Sequence, residues 1–317
     1  PGRASVMVLD GWTYEDMTVK DAAGLVVNWP MSRPITAWWM DTPEEEQLKN
    51  IRQNMQRIEE AFSIAKAYDA AKRAEVNSPG ETDLRWEAMR GVYSVISDKP
   101  AAASNGSGLV NSGDAQSHIS IPDSRTPVFI MAQDYDQITS SVEFCNRFGL
   151  RCVIVGGREA VQCADLLKRH NVPVILMGTH TMPRRDDAPF DEPFTTPMQL
   201  EATGVKWCLA SGEETPHERN LPYNAGRAVA YGLDIDAAIR AVTLSTAEIL
   251  GVADTLGSIE VGKSATLIIT DGNPLELTTR IDSAYIHGKL IDLTNKHTEL
   301  DRKYREKYRQ LKPAPAK

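Results

Sequence analysis

The sequence PVFIMA at residues 127–132 opens a series of apolar segments that decides the fold. RCVIV at 151–155, VPVILM at 172–177 and VKWCLA at 205–210 follow it, and helix-like segments separate them. Strands that are apolar throughout and alternate with helices are typical of a parallel sheet covered on both faces. No G-x-G-x-x-G follows any of these strands. The four units therefore predict half of a (β/α)8 barrel rather than a dinucleotide-binding fold.

The segments on either side of these units are predicted from periodicity and turn residues. Apolar side chains spaced by three and four residues predict a long helix at 44–74. Beyond residue 250 the apolar period becomes two, which predicts short strands. The other predicted strands lie at 5–9, 24–29, 257–260, 265–270 and 283–293, and the other helices at 136–148, 160–170, 198–203, 220–231 and 236–242.

Composition excludes several classes of protein. With 317 residues and 42% hydrophobic content, the chain can bury a sizeable core, so it is neither disordered nor fibrous. Its net charge of −8 argues against binding along a nucleic-acid backbone, which needs a clustered positive surface. No apolar run approaches the ~18 residues of a membrane-spanning helix. Small and polar residues dominate 94–126, which predicts a low-complexity surface insertion.

A family resemblance rests on TLSTAEILG at 243–251, GSIEVGKSATLII at 257–269 and DGNPL at 271–275. These segments closely resemble the C-terminal signature of the amidohydrolase superfamily, and 127–176 resembles its imidazolonepropionase-like branch. The resemblance implies an α/β fold, a (β/α)8 TIM-type barrel whose N-terminal part is incomplete here, with a small composite β-sandwich domain. The corresponding domain prediction is a barrel at 1–250, the C-terminal part of the sandwich at 251–294 and a charged tail at 295–317.

The resemblance also implies a metal site, and this chain departs from it. The family's ligands are a His-x-His after the first strand, often a carboxylated Lys after the fourth, one His at the fifth and sixth strands, and an Asp after the eighth. Met131 stands at the fifth-strand position, Gly156 or Gly157 at the sixth, and Gly212 at the eighth. A thioether binds such ions weakly and glycine offers no side-chain ligand. No His-x-His occurs anywhere in the chain. We therefore expect no binuclear centre, and at most one divalent ion (Zn, Fe or Mn).

Polar residues that follow the strands are the candidates for a site, because barrel active sites form at the carboxyl ends of the strands. Glu213, beside the Gly212 position, is the predicted general base, and His180 or His217 would orient it or bind a single ion. Gln133 and Arg158 are predicted to contact substrate. The alternative is that each is a loop residue bonded to its neighbours. The full set is Gln133, Asp134, Arg158, Glu159, His180, Glu213, Glu214 and His217.

The function implied by the resemblance is hydrolysis of non-peptide C–N bonds in cyclic amide-like small molecules, with a degenerate metal site. The alternative is a catalytically inactive homologue that acts as a binding or scaffold subunit, through self-association or by pairing with an active paralogue. Bound metal would discriminate the two. Relatives of this branch often carry export signals, so both a cytoplasmic and a periplasmic or secreted location remain open.

Overall fold

The computed structural model describes residues 2–74, 82–94, 125–183, 185, 187–212 and 215–311. Most of the predicted insertion at 94–126 and the predicted base Glu213 therefore lie outside the described residues. The chain opens with β1 (Gly2–Met7), which pairs antiparallel with β2 (Thr18–Asn28). The short helix α1 (Tyr14–Met17) lies between them. β2 is longer than the predicted strand at 24–29.

A parallel sheet forms the centre of the molecule. β2 is followed in the sheet by β3 (Val128–Ala132), β4 (Cys152–Gly156), β5 (Val174–Met177) and β6 (Trp207–Ala210). These five strands are mutually parallel and neighbour one another in chain order, with β1 on the outer side of β2. Sequential parallel strands joined by helices are the arrangement of an incomplete (β/α)8 barrel.

Helices follow the strands much as predicted, with one large difference. The α6 helix begins at Glu192 rather than at 198, because Pro193 falls in its first turn, where a missing N–H costs no hydrogen bond. The long α2 helix has the predicted bounds. The helices are α2 (Glu44–Ala74), α3 (Leu84–Glu87), α4 (Tyr135–Phe148), α5 (Ala164–Arg169), α6 (Glu192–Thr203), α7 (Leu221–Ala230), α8 (Ile235–Ala241) and α9 (Leu244–Leu250).

Alternation along the strands separates two apolar clusters. Ile130, Ile154 and Leu209 belong to the larger cluster, which the surrounding helices cover. Phe129, Val153 and Cys208 point to the other face of the sheet and pack with Ile249 of α9. The Phe129 ring lies against Gly24 of β2, where a Cβ atom would come within 2.4 Å of the ring. We call this second face the inner face.

The C-terminal region forms a small antiparallel sheet and a helix. Its strands are β7 (Leu267–Thr270), β8 (Ile281–Ile286) and β9 (Lys289–Leu290), and α10 spans Lys296–Leu311. The strand predicted at 283–293 is divided into β8 and β9 by a turn at His287 and Gly288, which both have positive φ. No strand forms at 257–260. This sheet has three strands. The composite β-sandwich domain that the resemblance implies stays a prediction. Among the described residues, no helix has the length and apolarity needed to span a membrane.

Candidate functional site

The carboxyl ends of β3 to β6 meet at one edge of the parallel sheet, so the residues that follow them share one surface. Gln133 follows β3, Gly157 follows β4, Gly178 follows β5 and Ser211 follows β6. We call this edge the strand-end surface. Five members of the set predicted from the sequence come within three residues of these strand ends: Gln133, Asp134, Arg158, Glu159 and His180.

Gly156 and Gln133 form a close packing contact at this surface. Gly156 has φ of +109°, and a Cβ atom at that position would lie 2.4 Å from Nε2 and 2.7 Å from Oε1 of Gln133. The Gln133 carboxamide therefore occupies the space that a side chain at 156 would need. Its Oε1 is buried and has no hydrogen-bond partner among the described residues. Such an atom costs about 1–3 kcal/mol unless a donor reaches it.

Gly178 and Gly212 bring the ends of β5 and β6 into backbone contact. A Cβ atom on Gly178, which has φ of +56°, would lie 2.3 Å from the carbonyl oxygen of Ser211. A Cβ atom on Gly212, which has φ of +68°, would lie 2.9 Å from the carbonyl carbon of Met177. Both positions therefore favour glycine for conformational and steric reasons.

Asn224 of α7 holds the segment that follows β5, and sequence reasoning missed it. Its side chain is fully buried. Its Oδ1 accepts hydrogen bonds from the backbone N–H of Thr179 at 2.6 Å and of His180 at 3.1 Å. Its Nδ2 donates to the carbonyl of Asn220 at 3.1 Å. A single asparagine in a helix carries no sequence signal for this role, because its partners are 44 and 45 residues away.

The two predicted histidines are both exposed. His180 borders a cavity of about 320 Å³ with Met182, Phe194 and Arg227. His217 lies in the 3₁₀ turn Thr215–Asn220 and is not among the described residues that line this cavity. The structure thus places His180 at the strand-end surface but does not bring His217 into the same cavity.

Arg158 and Glu159 make contacts that hold loops together. The guanidinium of Arg158 donates to the carbonyl of Met182 at 3.1 Å. The carboxylate of Glu159 accepts from the backbone N–H of Tyr135 at 2.7 Å. Tyr135 is the first residue of α4, where a negative charge is favoured by the helix dipole. Glu213 and Glu214 lie outside the described residues, so their predicted roles stay predictions.

The described residues do not fit the ligand set that the family resemblance implies. Met131 pairs in register with Val155 and packs into the inner-face cluster. At Gly156 the Gln133 carboxamide fills the space, and at Gly212 the backbone of Met177 does so. Among the residues that the structure describes, no group of three or more His, Cys, Asp and Glu is placed to hold a metal ion. The misfit is therefore steric as well as chemical.

Comparison with known proteins finds matches in both sequence and structure. The model of a family described as the amidohydrolase family matches residues 209–301. An imidazolonepropionase from Sphingopyxis alaskensis is 33% identical over 128 residues, which are 38% of this chain. The chain spans 30% of the length of this curated relative.

Comparison of structures also finds similar proteins. An amidohydrolase from Thermotoga maritima matches 92% of this chain and 68% of its own, with a TM-score of 0.70 and 22% identity. An adenosine deaminase from Xanthomonas campestris with bound zinc matches 58% of this chain and 51% of its own, with a TM-score of 0.39 and 19% identity. The first match shows that the fold extends over nearly the whole chain.

Proposed function

Since the chain belongs to the amidohydrolase superfamily, we propose that its strand-end surface binds a small cyclic amide-like molecule and does not support the family's binuclear chemistry. The packing of Gln133 against Gly156 carries this proposal. It puts a carboxamide where the resemblance implies a metal-binding imidazole. When bound, the family's ions activate water. At positions 156 and 212 this chain has no side chain to hold them.

The orphaned Oε1 of Gln133 supports an amide-like ligand. This buried acceptor lacks a donor among the described residues. The N–H of a cyclic amide would supply one, and a neutral hydrogen bond of this kind contributes about 1 kcal/mol. This is the binding-subunit alternative, in which the protein recognises the ligand class of its relatives without turning it over.

We expect the chain to bind a lactam or imidazolone by titration calorimetry in the presence of a chelator. Gln133→Met keeps the size of the side chain but removes the acceptor, so binding should weaken about fivefold. Elemental analysis after incubation with Zn, Fe or Mn and gel filtration should find no pair of ions per chain. Two equivalents of metal, or chelator-sensitive ligand binding, would contradict the proposal. Gln310→Met on exposed α10 is the matched control and should leave binding unchanged.

Hydrolysis of the C–N bond in such a ligand is the second candidate function. It is supported by the similarity to an imidazolonepropionase. The contact between Gly178 and Ser211 also favours hydrolysis. His180 comes two residues after Gly178, and Glu213 comes two residues after Ser211. In this scheme the carboxylate of Glu213 takes a proton from water as the water oxygen bonds to the amide carbon, and it returns the proton to the nitrogen as the C–N bond breaks.

Glu213→Gln tests this second candidate. Loss of a positioned general base should lower turnover of a lactam or imidazolone ~100- to 10,000-fold, while the melting temperature stays nearly unchanged. Glu299→Gln on α10 removes an equal charge from an exposed helix and should leave turnover intact. Full activity of Glu213→Gln would mean that another residue acts as the general base. No turnover by the unchanged chain would leave binding as its function.

A further inference from the structure

At the amino ends of the strands, the inner face of the sheet carries positively charged side chains rather than apolar ones. Side chains alternate along a strand, so Arg151 shares the face of Val153 on β4, and Lys206 that of Cys208 on β6. Lys20 of β2 reaches the same end of the face, because its ammonium donates to the carbonyl of Leu250, next to Ile249 of the inner-face cluster. Barrel interiors are usually filled with layers of bulky apolar residues supplied by alternate strands. Here Lys20, Arg151 and Lys206 form a cluster of cations at this end instead.

A cavity lies at this cluster, at the amino ends of the strands and away from the strand-end surface. It has a volume of about 850 Å³, which is in the range of small-molecule sites. Its charged lining consists of four cations and two carboxylates, with His170 in addition. The four cations are Lys20, Arg125, Arg151 and Lys206, and the carboxylates are Glu248 and Asp254. We call it the basic cavity.

Main-chain hydrogen bonds fix the positions of these cations. The carbonyl of Arg151 accepts from the N–H of Val128 at 2.8 Å, and that of Lys206 accepts from Val174 at 2.9 Å. Their Cα atoms are therefore held by the sheet. The ammonium of Lys20 donates to the carbonyl of Leu250 at 2.9 Å, at the end of α9. The backbone of the cluster is therefore ordered before a ligand binds, so binding needs to order only the side chains.

Charge balance in the cavity favours an anion. Lys206 forms an ion pair with Glu248 at 3.1 Å, and Glu248 also binds Arg240. Lys20 donates to two neutral carbonyls, those of Leu250 and Gly251. Burial, and secondly the charge of Arg151, lower the pKa of Lys20. An anion placed between Lys20 and Arg151 would offset their repulsion.

We propose that the basic cavity binds a small organic polyanion that carries at least two carboxylate or phosphate groups. Lys20, Arg151 and Lys206 lie on or directly before alternate strands, so neighbouring ones are separated across the sheet by about two strand spacings, ~10 Å, before side-chain reach is counted. One anionic group would contact Lys20 and Arg151, and a second would reach Lys206. A small molecule fits better than a long polymer, since the whole chain carries a net charge of −8. The site is separate from the proposed amide-binding surface.

Titration calorimetry with citrate and with pyrophosphate, at constant ionic strength, tests the proposal on the unchanged chain. We expect saturable binding of at least one probe, and the preferred probe identifies carboxylate or phosphate as the ligand chemistry. Arg151→Gln should weaken this binding about tenfold, because a charge-assisted contact is lost. Glu248→Gln should strengthen it, since it removes a competing carboxylate.

Arg302→Gln on α10 is the matched control, because it removes the same charge at a distance from the cavity. We expect it to leave the affinity unchanged. Equal weakening by Arg302→Gln and Arg151→Gln would overturn the proposal, because it would indicate a general charge effect. Lack of saturable binding of both probes to the unchanged chain would also overturn it. Should Arg151→Gln fail to fold, Lys206→Gln provides the same comparison.

Discussion

Gly178→Ala should lower the free energy of unfolding by about 3 kcal/mol or more, the largest single effect that we expect from adding one methyl group. The new Cβ atom would lie 2.3 Å from the carbonyl oxygen of Ser211, so backbone rather than a flexible side chain must move. Overpacking of this kind costs about 1–3 kcal/mol. The left-handed conformation at φ of +56° adds about 1–2 kcal/mol for alanine.

Gly149→Ala is the matched control for this measurement. Gly149 has φ of +69°, close to that of Gly178, but no atom lies within 4 Å of its added Cβ atom. Gly149→Ala should therefore lower the free energy of unfolding only by the cost of the left-handed conformation, about 1 kcal/mol. Urea denaturation of both variants measures the difference between their free energies of unfolding. Equal losses in the two proteins would mean that the ends of β5 and β6 are not in backbone contact.

Asn224→Ala should lower the free energy of unfolding by about 3–4 kcal/mol. The change leaves the N–H groups of Thr179 and His180 without their acceptor. The N–H of Thr179 is buried, and an unsatisfied buried donor costs about 1–3 kcal/mol. Because the side chain of Asn224 is fully buried, its truncation also leaves a cavity. Denaturant unfolding monitored by circular dichroism measures the loss.

Two further variants separate the hydrogen bonds from the change in helix composition. Asn54→Ala makes the same substitution at an exposed position of α2, and we expect a change within about 0.5 kcal/mol. Asn224→Asp keeps an acceptor for Thr179 and His180 but loses the donor to Asn220 and buries a charge. It should be destabilised at neutral pH and recover partly in acid, where the carboxyl group is neutral. An Asn224→Ala protein as stable as the unchanged chain would exclude the proposed role of Asn224.

Local patterns in the sequence were sufficient to predict the order of the elements. The apolar runs of β3 to β6 and the apolar period of α2 are properties of neighbouring residues, so no knowledge of the fold is needed to find them. The bounds of α2 were correct for this reason. The start of α6 was predicted wrongly: the prediction began at 198, whereas the helix begins at Glu192 and includes Pro193 and Pro197, both of which are buried.

The candidate site was only partly open to the same reasoning. The sequence alone revealed that Met131, Gly156 and Gly212 stand where the resemblance implies metal ligands. It also identified Gln133 as a polar residue at a strand end. The placement of its carboxamide over Gly156 came from the structure, because two residues on different strands approach only after the sheet has formed.

The parallel half-barrel and the resemblance to the amidohydrolase superfamily followed from the sequence, because residue identity and short-range periodicity carry them directly. The tertiary structure decided which residues touch. It brought Gly178 and Gly212 into backbone contacts, made Asn224 the acceptor for a distant loop, and placed Lys20, Arg151 and Lys206 around one cavity. Such contacts join residues far apart in the chain, and their geometry is set by strand register and helix packing, which no short segment encodes.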